Sequence, residues 1–202
     1  MKPRGAVWAA GFQLCFVAAV TLFKVSANAL LIARADATWL PALYVLSALT
    51  TGLLAVALAR LPRRHAAAAP SVSLAVSAVL LIGAWLALPR LATLGLSALY
   101  LAAEAFATLI SLRYWEAMGH AFDARQARRL FTLLGASGMA GAVLGGALCP
   151  VLARSGSAAM LLPASAALMV VTGACGEVFS RVRGAVPPVR GRSLRSAAMD
   201  LL

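Results

Sequence analysis

Apolar residues in this chain come in long unbroken runs rather than in alternation. A helix needs about 20 such residues to cross the ~30 Å hydrocarbon core of a bilayer. Six stretches meet that length: 6–32, 39–59, 72–88, 91–117, 130–153 and 157–179. The absence of a two-residue period excludes a β-barrel, and helices satisfy their own backbone hydrogen bonds in lipid. The predicted fold is therefore all-α, a polytopic membrane protein of six transmembrane helices. Residues 1–183 form the transmembrane domain and 184–202 a basic tail. Pro41 and Pro163 fall within the predicted second and sixth spans as tolerated kink sites.

The polar breaks between runs carry the charge. Fourteen basic residues precede the first span, follow the second and sixth, or lie at and beyond the end of the fourth, and only Arg34, Arg90 and Arg154 lie in the opposite turns. The positive-inside rule then predicts both termini in the cytoplasm, in a cell inner membrane. An alternative for the opening segment is a signal peptide, with Lys2 and Arg4, an apolar run and an A-x-A site at Ala27–Ala29. The length of that run, Lys24 just before the site and five further spans favour a retained helix.

Composition narrows the class. Of 202 residues, 62% are hydrophobic and 12% charged, and the mean hydropathy is +0.90. That leaves too little polar surface for an ordinary soluble enzyme or a disordered chain. The net charge of +12 follows from topology. Its basic residues are spread between apolar runs, so no nucleic-acid partner is expected, and anionic membrane lipid is. Cys15, Cys149 and Cys175 show no paired spacing and no histidine cluster, so neither a disulfide framework nor a metal or other cofactor is expected.

Charges inside spans are the informative ones, because lipid-facing charge is costly. Lys24 follows eighteen uncharged residues and lies about 13 Å deep at 1.5 Å per residue. Asn28 shares its helix face one turn on. Glu104 lies about 20 Å deep in the fourth span by the same rise. The depths are near enough for Lys24 and Glu104 to meet inside the bundle. Such a meeting fits a solute-binding site or a pair that only fixes helix packing. Arg113 with Glu116, and Glu177 with Arg181, read as interfacial pairs at helix ends.

The fifth span is glycine-rich, with Gly135, Gly138, Gly141 and Gly145 spaced for close helix packing, and Gly141–Gly145 forming a GxxxG. Close contact of this kind also permits sliding. Gly135-Ala136-Ser137-Gly138 matches a pattern of intramembrane serine proteases. The histidines, His65 and His120, both fall in loops, so the serine lacks a general base and no enzyme is predicted.

After the fourth span the sequence takes a more specific form. Trp115, Phe122-Asp123, Gln126-Ala127-Arg128-Arg129-Leu130-Phe131 and the glycine-rich span resemble the ATP:ADP antiporter family, related to the major facilitator superfamily. Lys24, Ala29-Leu30-Leu31 and Leu40-Pro41 resemble that family's opening segment. The resemblance covers most of the chain and corresponds to the first half of a twelve-span protein. It implies exchange of a nucleotide or other anionic solute by alternating access. Lys24 matches the lysine thought to engage substrate phosphate, and Gln126, Arg128 and Arg129 match a loop motif. Two positions differ from the family pattern: Val25 stands where aspartate is usual, and Gln126 where glutamate is. The expectation is a transporter or transporter half with Lys24, Asn28 and Glu104 at the solute site, completed as a homodimer or by a second six-helix half. The alternative is a non-transporting membrane assembly subunit or a truncated gene product.

Overall fold

The computed structural model describes residues 3–34, 39–60, 70–121, 124–154 and 157–184. They form six helices: α1 Pro3–Arg34, α2 Leu40–Arg60, α3 Pro70–Ala87, α4 Thr93–Ala121, α5 Ala124–Arg154 and α6 Leu161–Gly184. Short 3₁₀ turns at Leu88–Arg90 and Ala158–Met160 link α3 to α4 and precede α6. No strand occurs among the described residues. Five helices are long and apolar enough to cross a membrane. The third, α3, runs on through the Leu88–Arg90 turn, and its described apolar stretch, Leu74–Arg90, is shorter than the other five.

Helix boundaries follow local chemistry. Pro3 opens α1, Pro70 opens α3, and Pro41 and Pro163 fall in the first turns of α2 and α6. An N–H there has no partner within the helix, so proline costs nothing by lacking one. Pro41 and Pro163 therefore start helices instead of kinking them, whereas Pro150 is interior to α5. Ser157 is extended and its hydroxyl oxygen accepts from the Ala159 N–H at 3.2 Å, an N-cap ahead of α6.

Most helices run a few residues past the expected spans, and between the fourth and fifth this changes a reading. α4 continues to Ala121 and α5 begins at Ala124, so Gln126, Arg128 and Arg129 lie in the opening turns of α5 and not in a loop. Glutamine, alanine and arginine are good helix formers, and nothing in that segment breaks the helix. The tail from 185 lies outside the described residues, as do the side chains of Arg113, Glu116, Arg181, His65 and His120 and hence the pairs expected of them.

α1 is the hub. It packs against α6, α5 and α4, while α3 packs against α6 and α2 against α4. Half of the apolar window of α1 is buried, against 6% for α2. Phe12, Phe16, Phe23 and Leu31 of α1 meet Leu162, Ala166 and Met169 of α6 and Ala103, Ile110 and Tyr114 of α4 in one core. Phe12 stacks on Tyr114 at 5.1 Å between centroids.

Two side-chain hydrogen bonds lock α1 to the α6 region. Ser26 Oγ donates to the Ala158 carbonyl and Ser165 Oγ to the Ala19 carbonyl, both at 2.8 Å. Hydroxyl bonds between membrane helices average about 0.6 kcal/mol, with a maximum near 1.7. Ser165→Ala is expected to lower stability by about that range. Ser165 is fully buried, so the substitution leaves the Ala19 carbonyl without that bond, and thermal unfolding in detergent reads the loss.

The α1–α5 seam is set by glycine. Gly138, Gly141 and Gly145 are buried on one face of α5. A Cβ at Gly138 would approach the Gln13 amide to 3.2 Å, and one at Gly145 the Ala18 carbonyl oxygen to 2.9 Å. A Cβ at Gly141 would overlap the Leu14 carbonyl oxygen. Gly135 is a correction: it is exposed, and a Cβ there meets nothing within 4 Å. Three residues before Gly138, it falls on the edge of the face, past the line along which the two helices touch.

Candidate functional site

Lys24 stands ten residues before the end of α1 at Arg34, and Glu104 eleven residues after the start of α4 at Thr93. At 1.5 Å per residue both lie about 15–17 Å from the same end of the bundle. The antiparallel packing brings them together: Lys24 Nζ is 2.9 Å from Glu104 Oε2. Their side chains stay 38% and 23% exposed. With these helices as membrane spans, the pair sits at mid-depth, where a lone charge costs about 2.5–3.5 kcal/mol on insertion scales. Neutralising each other removes much of that cost.

Glu104 belongs to a polar stripe. Ser97, Tyr100, Glu104, Thr108, Ser111 and Trp115 recur every three or four residues, which puts them on one face of α4. Only Glu104 stands out in the sequence by charge. The others are legible from spacing, as polar and aromatic residues kept in register along an otherwise apolar span. The adjoining face, Leu96, Ala103, Ala107, Ile110 and Tyr114, is buried in the core.

The two halves of the stripe differ in cover. Toward the Arg34 end, α2 closes over it. Tyr100 is buried in side-chain hydrogen-bond contact with Ser47, and its ring meets Tyr44 edge-on at 6.1 Å. Ser47 Oγ donates to the Tyr44 carbonyl at 2.8 Å. Toward the Pro3 end the stripe is open. Val20 and Lys24 of α1 with Ala107, Thr108, Ser111, Leu112 and Trp115 of α4 line a groove of about 310 Å³. That volume is at the small end of ligand sites, which run from about 300 to 1,000 Å³.

The groove is chemically asymmetric. It has an ammonium at one end, hydroxyls along one wall and an indole at the other end. The Trp115 ring is held by Tyr114 at 5.4 Å and by Phe131 of α5 at 5.7 Å. An ammonium beside hydroxyl donors suits an anion, and an exposed indole suits a flat or apolar group.

Of the residues expected at the site, Lys24 and Glu104 meet. Asn28 is half-buried one turn further along α1 and does not line the groove. Gln126, Arg128 and Arg129 open α5, and their side chains are outside the described residues. The Ser137 hydroxyl donates back to the Leu134 carbonyl of its own helix at 2.8 Å. The three cysteines are free thiols.

Compared with known proteins, the chain matches no family model, no curated protein and no solved structure.

Proposed function

We propose that this chain is a membrane transporter, or half of one, that moves an anionic or polar solute by alternating access. The observation that carries this is the 2.9 Å Lys24–Glu104 pair at mid-depth, half open to a groove lined by Thr108, Ser111 and Trp115. A purely structural pair would be expected to be enclosed. Intramembrane charge that borders an open groove marks solute pathways. A solute anion would compete with Glu104 for the ammonium, so binding and release of solute are tied to breaking and remaking the pair.

The unequal cover of the α4 stripe supports the same reading. Tyr44, Ser47 and Tyr100 block the groove on one side while it stays open on the other, as one state of an alternating-access cycle requires. The resemblance of Lys24 and of the Gln126–Phe131 segment to ATP:ADP antiporters favours a nucleotide-like anion and the six-helix half of a major-facilitator architecture. The arginine distribution favours an inner membrane with both termini cytoplasmic.

The test is flux in proteoliposomes with labelled ATP, ADP, inorganic phosphate and glutamate as probes. At least one is expected to move faster than in empty vesicles, and Lys24→Ala is expected to slow it at least about tenfold, the loss of one charge-assisted contact. A Lys24→Ala protein that moves the probe at the wild-type rate removes the proposed role.

A further inference from the structure

The Lys24–Glu104 pair is balanced in charge but not in cover. One hydrogen bond leaves two ammonium protons and the second carboxylate oxygen to be satisfied, and both side chains remain partly exposed. Beside them Val25, Leu112 and Trp115 are exposed too. α2 lies beyond α4 and α5 beyond α1, so the groove is flanked by the two least buried spans. None of the described helices crosses it. Acyl chains have no donor or acceptor to offer these groups.

The charges are arranged to complement a copy of themselves. Lys24 and Glu104 lie at nearly the same distance from the Arg34 end, side by side across the groove. A two-fold axis along the bilayer normal keeps depth and reverses order in the plane. It therefore sets each ammonium against the other copy's carboxylate, and it sets α2 of one copy against α5 of the other. This is the self-matching contact that a two-fold dimer needs.

We propose that the α1–α4 groove is the interface with a second copy of this chain, and that the two Lys24–Glu104 pairs form one four-charge cluster across it. The partner's Lys24 and the partner's Glu104 complete the polar site, which a single copy leaves open. The dimer encloses the two grooves between the copies. This inference rests on the helices being membrane spans and holds whether or not the protein transports a solute.

The test uses two differently tagged full chains that each keep an internal pair. One is the wild type, and the other carries Lys24→Glu together with Glu104→Lys. Each alone is expected to run in lipid nanodiscs at twice the 20.8 kDa chain mass. Co-expressed, they are expected to avoid each other, because the two-fold then opposes ammonium to ammonium and carboxylate to carboxylate. Mixed dimers should fall at least about tenfold below the statistical half. A statistical mixture overturns the proposal, as does a wild-type monomer or a dimer cross-linked through a face other than the groove. If the exchanged chain does not fold, a mixture of one tagged chain carrying Val20→Cys and another carrying Thr108→Cys, both cleared of native cysteines, serves instead, since the two-fold sets α1 of one copy against α4 of the other and these positions lie at matching depth in the groove. Disulfide-linked dimers are expected from the mixture, and none from Val170→Cys on the exposed face of α6. The reverse result overturns the proposal. Flux through the wild type is scored separately, so loss of the dimer proposal and loss of the transport proposal are distinct outcomes.

Discussion

Glu104→Ala is expected to destabilise the protein by about 2–3 kcal/mol, the scale of an uncompensated mid-membrane charge discounted for partial exposure. The substitution leaves the Lys24 ammonium at mid-depth with its 2.9 Å partner gone. Lys24→Met alone strands the carboxylate and is expected to cost a similar amount. The double variant, Lys24→Met with Glu104→Leu, replaces both charges by apolar groups and is expected to recover most of that stability, because a buried pair rarely exceeds a well-packed apolar substitute. Function is expected to behave differently. On the transport proposal, flux is expected to stay lost in the double variant, since a solute anion would then have no cation to bind. A double-mutant cycle of unfolding, read beside proteoliposome flux on the same four proteins, checks both halves. A double variant that is stable and still transports reduces the pair to a packing device. One that is as unstable as the single variants shows that the pair holds α1 to α4.

Gly141→Leu is expected to be the most damaging substitution outside the ion pair. Even the first carbon of a new side chain would overlap the Leu14 carbonyl of α1, and backbone cannot swing aside as a side-chain tip can. Overpacking of a close-packed core costs about 1–3 kcal/mol and sometimes more. Here the clash falls on α1, against which α4, α5 and α6 all pack, so about 3 kcal/mol or failure to accumulate is expected. Gly135→Leu and Gly146→Leu are the controls. A Cβ at either meets nothing within 4 Å, so both are expected to leave stability within about 0.5 kcal/mol of wild type. Yield and melting temperature of fluorescent fusions in mild detergent compare the three. Equal loss at Gly141 and Gly135 would contradict the seam described above.

The two glycines show what periodicity alone leaves open. Gly135, Gly138, Gly141 and Gly145 all read as packing positions in the sequence, and GxxxG singles out the last two. Three face α1 and one does not, because a contact line between two helices is narrower than the stripe of residues able to reach it. The loop motif shows a different limit. Gln126, Arg128 and Arg129 read as a loop because charge marks the edge of the bilayer, yet charge does not end a helix. α5 starts at Ala124 since its residues favour helix as much as the apolar ones that follow. Hydrophobicity reports the membrane boundary, and backbone preference reports the helix boundary.

The α4 stripe lies between these cases. The three- and four-residue spacing of Ser97, Tyr100, Glu104, Thr108, Ser111 and Trp115 is present in the sequence. What gives the spacing meaning is which helix lies opposite: α2 over Tyr100, α1 beside Glu104 and no described helix over Thr108 and Ser111.

The sequence by itself determined the helical class, the number of helices, the placing of Lys24 and Glu104 well inside their helices and the glycine content of α5. All of these are properties of one segment at a time, set by hydropathy, rise per residue and local backbone preference. Only the tertiary structure decided that α1 is the hub, that Lys24 meets Glu104 at 2.9 Å, that Gly135 faces outward and that the α4 stripe is shut at one end and open at the other. Those depend on how each helix is rotated about its axis and which neighbour it finds, and a rotation of one residue's worth, 100°, changes every contact without changing the hydropathy of the segment at all.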